Sequence, residues 1–73
     1  MKELRLHRAV YSTGAVDEAV GVFGPYATIE RSDDGEHQVV RVTSDSPARE
    51  RRVAGELGNY ALGLSVRDRG VSR

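Results

Sequence analysis

Over the first ten residues apolar and polar positions alternate. Leu4, Leu6 and Val10 fall on one side and Arg5, His7 and Ala9 on the other, which is the period of a strand with one face turned inward. Arg8 interrupts the inward set, and a first strand is expected over residues 4–10. The period then changes. Val16, Ala19, Val20 and Phe23 recur at i, i+3, i+4 and i+7, the stripe of an amphipathic helix. Ser12 and Thr13 before it are both competent N-caps, and Asp17 and Glu18 sit toward the positive end of the dipole. A helix over residues 13–23 follows, ended by Gly24-Pro25 because proline cannot continue the ladder and pushes its predecessor out of the α region.

The chain then turns extended, with Ala27 and Ile29 on one face and Tyr26, Thr28 and Glu30 on the other. Asp33-Asp34-Gly35 supplies hairpin chemistry, and Glu36 to Thr43 returns as the partner strand. Its β-branched run, Val39, Val40 and Val42, belongs at the centre of a sheet, shielded by both neighbours. Ser46 is then an N-cap and Pro47 suits the first helical position. Val53, Leu57, Tyr60, Ala61 and Leu64 trace a stripe to about residue 67, while Arg49, Glu50, Arg52 and Glu56 take the wet face. Gly55, Gly58 and Gly63 interrupt this helix, each at a cost of about 1 kcal/mol against alanine. Two readings stay open: the glycines allow close packing on the sheet or the first helix, or they make room for another chain. Val71 to Arg73 reads as a frayed tail.

The order strand, helix, strand, strand, helix defines an α+β fold, β-α-β-β-α. A right-handed crossover and the need of both helices for an apolar surface give a three-stranded antiparallel sheet ordered 1-3-2 with both helices on one face. This is a truncated ferredoxin-like unit, lacking its last strand. The first strand is left at an edge with open backbone groups, either a place for a homodimer or an added peptide or an edge simply guarded by the charges of Arg5, His7 and Arg8.

With 73 residues the chain forms a single domain, residues 1–73 with an ordered core of about 4–69. A domain of this size buries only about 60% of the surface its unfolded chain exposes. There is no cysteine, which removes disulfides and thiolate chemistry together. Eleven basic and eleven acidic residues cancel, so no global field draws the protein to nucleic acid or an anionic membrane. The N-terminal segment lacks a signal-peptide h-region and no apolar run is long enough to span a bilayer; the expected location is cytoplasmic, away from membranes.

Catalytic, cofactor and metal sites are not indicated. His7 and His37 are the two histidines, without a further ligand at metal spacing. Asp33, Asp34 and Glu36 surround a hairpin glycine without the spacing of a calcium loop. Ser12 and Ser46 are explained as caps rather than nucleophiles. Gly21 to Gly24 ends a helix, where the dipole repels phosphate. The sheet face left bare by the helices would carry Arg5 and His7, Thr28 and Glu30, and His37, Val39, Arg41 and Thr43. It holds none of the central aromatics on which an RNA-reading sheet stacks bases, so nucleic acid is disfavoured. Arg49, Arg51, Arg52, Arg67 and Arg69 are interspersed with Glu50, Glu56 and Asp68, the pattern of a solvated helix face.

Arg5-Leu6-His7-Arg8-Ala9-Val10-Tyr11-Ser12, followed by an alanine-rich helix, a strand pair around Asp34-Gly35 and a closing helix, resembles the His-Xaa-Ser system protein HxsD family. That family opens its first helix with aliphatic-Tyr-Ser, matched by Val10-Tyr11-Ser12, and its last helix reads roughly E-F-x-N-x-x-L-x-x-x-L-R-E. Glu56, Leu57, Asn59, Leu62, Val66, Arg67 and Asp68 fall at those positions, with Leu, Val and Asp as conservative departures. The likeness spans about residues 4–69. It implies a non-catalytic accessory protein beside paired radical SAM enzymes and a precursor peptide carrying His-Xaa-Ser repeats, acting by binding the peptide or a modification enzyme. It does not say which residues bind. With the edge argument it makes Arg5, His7, Tyr11, Asn59 and Arg67 the candidate partner-binding residues, against a purely structural role for Tyr11 at the sheet rim, Asn59 at a packing gap and Arg67 in a surface pair with Asp68. The alternative function is a small nucleic-acid-associated regulatory domain.

Overall fold

The computed structural model describes residues 1–70, so the expectation for Val71 to Arg73 lies outside the described residues. The elements run β1 (Lys2–His7), α1 (Thr13–Phe23), a short 3₁₀ turn (Gly24–Tyr26), β2 (Thr28–Asp34), β3 (His37–Thr43) and α2 (Pro47–Gly70). Among the described residues the three strands form one antiparallel sheet ordered β1-β3-β2, the arrangement expected from the sequence. Asp34 pairs with His37, which leaves a two-residue loop. Its first residue, Gly35, has φ of 61° while Glu36 keeps negative φ, as a type II′ turn requires.

The first strand is shorter than its alternation suggests. Arg8 still donates its N–H to the Glu36 carbonyl at 2.8 Å, but the His7 carbonyl then accepts from both Val10 N–H at 3.0 Å and Tyr11 N–H at 2.9 Å. Those two bonds curl residues 8–10 into a turn, and Val10 is left 41% exposed. Arg8, the polar residue at the inward position, turns to pair with Asp33.

Helix α1 begins where expected. The Ser12 side chain accepts the Ala15 N–H at 3.2 Å, the standard cap for an otherwise orphan donor. Helix α2 is capped in the same way, Ser46 Oγ accepting the Arg49 N–H at 3.2 Å, and it continues to Gly70 rather than stopping near residue 67. The helices pack on one side of the sheet. Leu6, Val40 and Val42 from the strands meet Val16 and Ala19 of α1 and Val53, Ala54, Leu57 and Ala61 of α2 in one buried cluster. Its members are small or medium aliphatics, and the rings lie around the rim: Phe23 meets Tyr60 edge-to-face at 5.9 Å.

Two expectations for α2 change. Glu50, placed on the wet face by helical spacing, is 7% exposed, because its carboxylate accepts the Ser44 N–H at 2.8 Å and faces the Met1 amine at 2.9 Å. It therefore ties the start of β1 to the end of β3. A Cβ placed on Gly55, Gly58 or Gly63 would meet nothing within 4 Å. The close-packing reading of these glycines is thus overturned.

Candidate functional site

Both outer strands of the sheet, β1 and β2, have one row of backbone groups without a neighbouring strand. In an antiparallel pair, residues alternate between those bonded to the partner and those facing away. The Arg8 to Glu36 bond fixes the phase along β1. Lys2, Leu4 and Leu6 therefore turn their N–H and C=O toward β3, whereas Glu3, Arg5 and His7 turn theirs outward. The His7 carbonyl is satisfied by the turn that follows, leaving, among the described residues, the N–H and C=O of Glu3 and Arg5 and the N–H of His7 as the open edge.

The side chains of the same three residues stand on the bare sheet face, as expected for Arg5 and His7, and they are organised there. Arg5 donates to Asp34 at 2.7 Å. Because the pair links β1 to β2, the arginine stem crosses the central strand, which accounts for Val39 being only 2% exposed on a face with no helix. The Arg5 guanidinium holds the Asp34 carboxyl below its ordinary range by hydrogen bonding and charge. Arg41 meets Glu3 at 3.3 Å and Ser32 at 3.1 Å. His7 Nδ1 accepts the Ala9 N–H at 3.0 Å, and its Nε2 faces Glu36 at 3.4 Å. His7 also stacks edge-to-face on His37 with centroids 4.9 Å apart. Both arginines of this face are paired with carboxylates of the same chain.

The other candidate residues lie elsewhere. Tyr11 is half-buried against the core on the helix side, its carbonyl accepting from Gln38 Nε2 at 3.2 Å; its placement is the structural one. Asn59 and Arg67 are exposed on α2, in the helix layer. The five candidates therefore do not form one site: Arg5 and His7 share the bare face and the edge, and Asn59 and Arg67 lie across the sheet from them. The positions that carried the resemblance are nonetheless coupled at the closing end of the helix pair. Ser12 N–H donates to Ser65 Oγ at 3.0 Å, Ser65 Oγ donates to the Ala61 carbonyl at 2.8 Å, and Ser12 Oγ donates to Asp68 at 3.2 Å. Ser65, 1% exposed, is the member of this latch that sequence reasoning missed; its signal was a serine one helical turn beyond Ala61 on the buried stripe.

Sequence reasoning also missed a groove of about 370 Å³ between the end of α1 and the first turns of α2, lined by Phe23, Tyr26, Arg49, Arg52, Val53 and Glu56. Among the described residues no group of three or more histidines or carboxylates is placed to hold a metal ion, and no helix is long and apolar enough to cross a membrane. Comparison with family models, curated proteins and solved structures finds no match.

Proposed function

We propose that the protein is a non-catalytic binding module that presents the edge of β1 to an extended segment of a partner, the role its resemblance to the HxsD family gives it beside a radical-SAM peptide-modifying system. The observation that carries this reading is the row of outward N–H and C=O groups at Glu3 and Arg5. An added strand gains backbone hydrogen bonds there, while the side chains of Glu3, Arg5 and His7 flank it and select among sequences. A precursor peptide with His-Xaa-Ser repeats suits this edge: its imidazoles and hydroxyls can hydrogen-bond to the Glu3 and Arg5 side chains. The location this role implies is cytoplasmic.

The test is fluorescence anisotropy of a labelled His-Xaa-Ser repeat peptide against the wild type, Glu3→Ala and Glu3→Pro. Proline at an edge position leaves the β1–β3 ladder intact but deletes an outward N–H. Binding to the wild type and to Glu3→Ala, with at least about a tenfold loss for Glu3→Pro, supports the reading. Equal affinity for all three, or no binding to any, contradicts it.

A further inference from the structure

The open edge of β1 is complementary to itself in one register, and we propose that a second copy of this chain occupies it when no peptide is bound, giving a two-fold dimer with a continuous six-stranded sheet. This rests on the reading of β1 as a pairing edge. Outward-facing residues must oppose outward-facing residues if their N–H and C=O groups are to be exchanged, so an antiparallel pair must match Glu3, Arg5 and His7 among themselves. Pairing Glu3 with Glu3 or Arg5 with Arg5 about the two-fold axis sets like charges directly opposite, which destabilises a cross-strand pair. Centring the axis on Leu6 avoids both but sets Arg5 opposite the partner's His7 without an opposite charge, whereas centring it on Leu4 pairs opposite charges. Glu3 then faces the partner's Arg5, Arg5 faces the partner's Glu3, and these two pairs exchange four backbone hydrogen bonds. Leu4 meets its own counterpart as a close, non-hydrogen-bonded pair on the helix side, where it is already half-buried against the core.

The register is also compatible with the network on the bare face. Within one chain Glu3 meets Arg41 at 3.3 Å and Arg5 at 4.0 Å, and Arg5 meets Asp34, so each cross-strand Glu3–Arg5 pair joins two such networks of alternating charge, one from each sheet. Lys2 and Glu3 alone would make the edge a guarded one, but the guard is two-signed and its signs repeat at an interval of two residues, the spacing that an antiparallel copy inverts and matches.

Sedimentation equilibrium of charge-swapped variants decides it. The wild type should dimerise, and Glu3→Arg and Arg5→Glu should each raise the dissociation constant by about tenfold or more, since each converts two attractive pairs into repulsive ones. The doubly swapped Glu3→Arg/Arg5→Glu chain should recover dimerisation, because only the Leu4-centred register turns both swaps back into opposite-charge pairs. An independent arm uses Leu4→Cys: the chain has no other cysteine, and oxidation should link two copies through residue 4. A wild type that stays monomeric, a dimer indifferent to the swaps, or one whose Leu4→Cys form fails to link overturns the proposal. A monomer that still binds the His-Xaa-Ser peptide through β1 overturns this inference alone and leaves the proposed function standing.

Discussion

At the scale of single residues, the fold leans on a few polar side chains that each satisfy several backbone groups. Ser12 caps α1, donates to Asp68, and passes its own N–H to Ser65. Ser12→Ala should cost about 1 kcal/mol for the cap, and Ser65→Ala roughly 1 to 3 kcal/mol because it leaves the Ser12 N–H without its partner; urea unfolding of the two variants measures both. Glu50 gives the chain a pH dependence. The Ser44 N–H and the Met1 amine hold its carboxyl below the ordinary value of 4.5. A carboxyl depressed in the folded state binds fewer protons there than in the unfolded chain, so it stabilises above the unfolded value and that stability is lost as pH falls through the folded one. The melting temperature should drop below about pH 4.5 and the drop should shrink in Glu50→Gln, with Asp34, depressed by Arg5, contributing in the same direction. Tyr60 behaves oppositely: its hydroxyl donates to Glu18 at 2.8 Å, and that bond and charge raise its ionisation above 10. Its contribution is present below that value and is lost as alkali ionises the phenol in the folded chain.

At the scale of elements, most of the fold was legible in the chain's pattern. Residues Thr13–Phe23 form α1 with Ser12 as cap, the valines of β3 are buried at the centre of the sheet, and the hairpin glycine turns as required. The end of β1 was not legible, because the carbonyl of His7 takes two N–H groups from residues that continue the alternation in sequence. Nor was Glu50, whose burial depends on where Met1 and Ser44 arrive rather than on its own helix. The candidate site was legible only in part: the strand order exposed the edge, but which backbone groups face outward follows from the pairing phase, which alternation alone does not set. The three glycines of α2 offer a direct check on element packing. Since no atom waits where a Cβ would go, Gly58→Ala or Gly63→Ala should stabilise the isolated protein by about 0.5 to 1 kcal/mol. Loss of stability would restore close packing, and stabilisation with loss of partner binding would mark the glycine face as an interface. Phe23 is half-buried at the rim, stacked on Tyr60; Phe23→Ala should cost about 2 kcal/mol, below the range for a fully buried ring, as read from the thermal midpoint.

At the scale of the molecule, the sheet divides two kinds of surface. One side is covered by the helices over an aliphatic core, and the other carries arginines, carboxylates and paired histidines that cancel within the chain. A formal net charge of zero and this internal pairing leave directed backbone bonds, rather than long-range attraction, as the means by which β1 would recruit an extended partner. The central claim, that the edge of β1 is the binding surface, predicts an alternating record in the amide exchange of one short strand. In a dilute sample the amides of Leu4 and Leu6 are already slow, bonded to β3, while those of Glu3 and Arg5 exchange freely. Adding the His-Xaa-Ser repeat peptide should slow Glu3 and Arg5 and leave Leu4 and Leu6 as they were. Protection or shift changes confined to Asn59, Arg67 and the groove beside Tyr26, with Glu3 and Arg5 still exchanging freely, would contradict the account and move the binding surface to the helix layer.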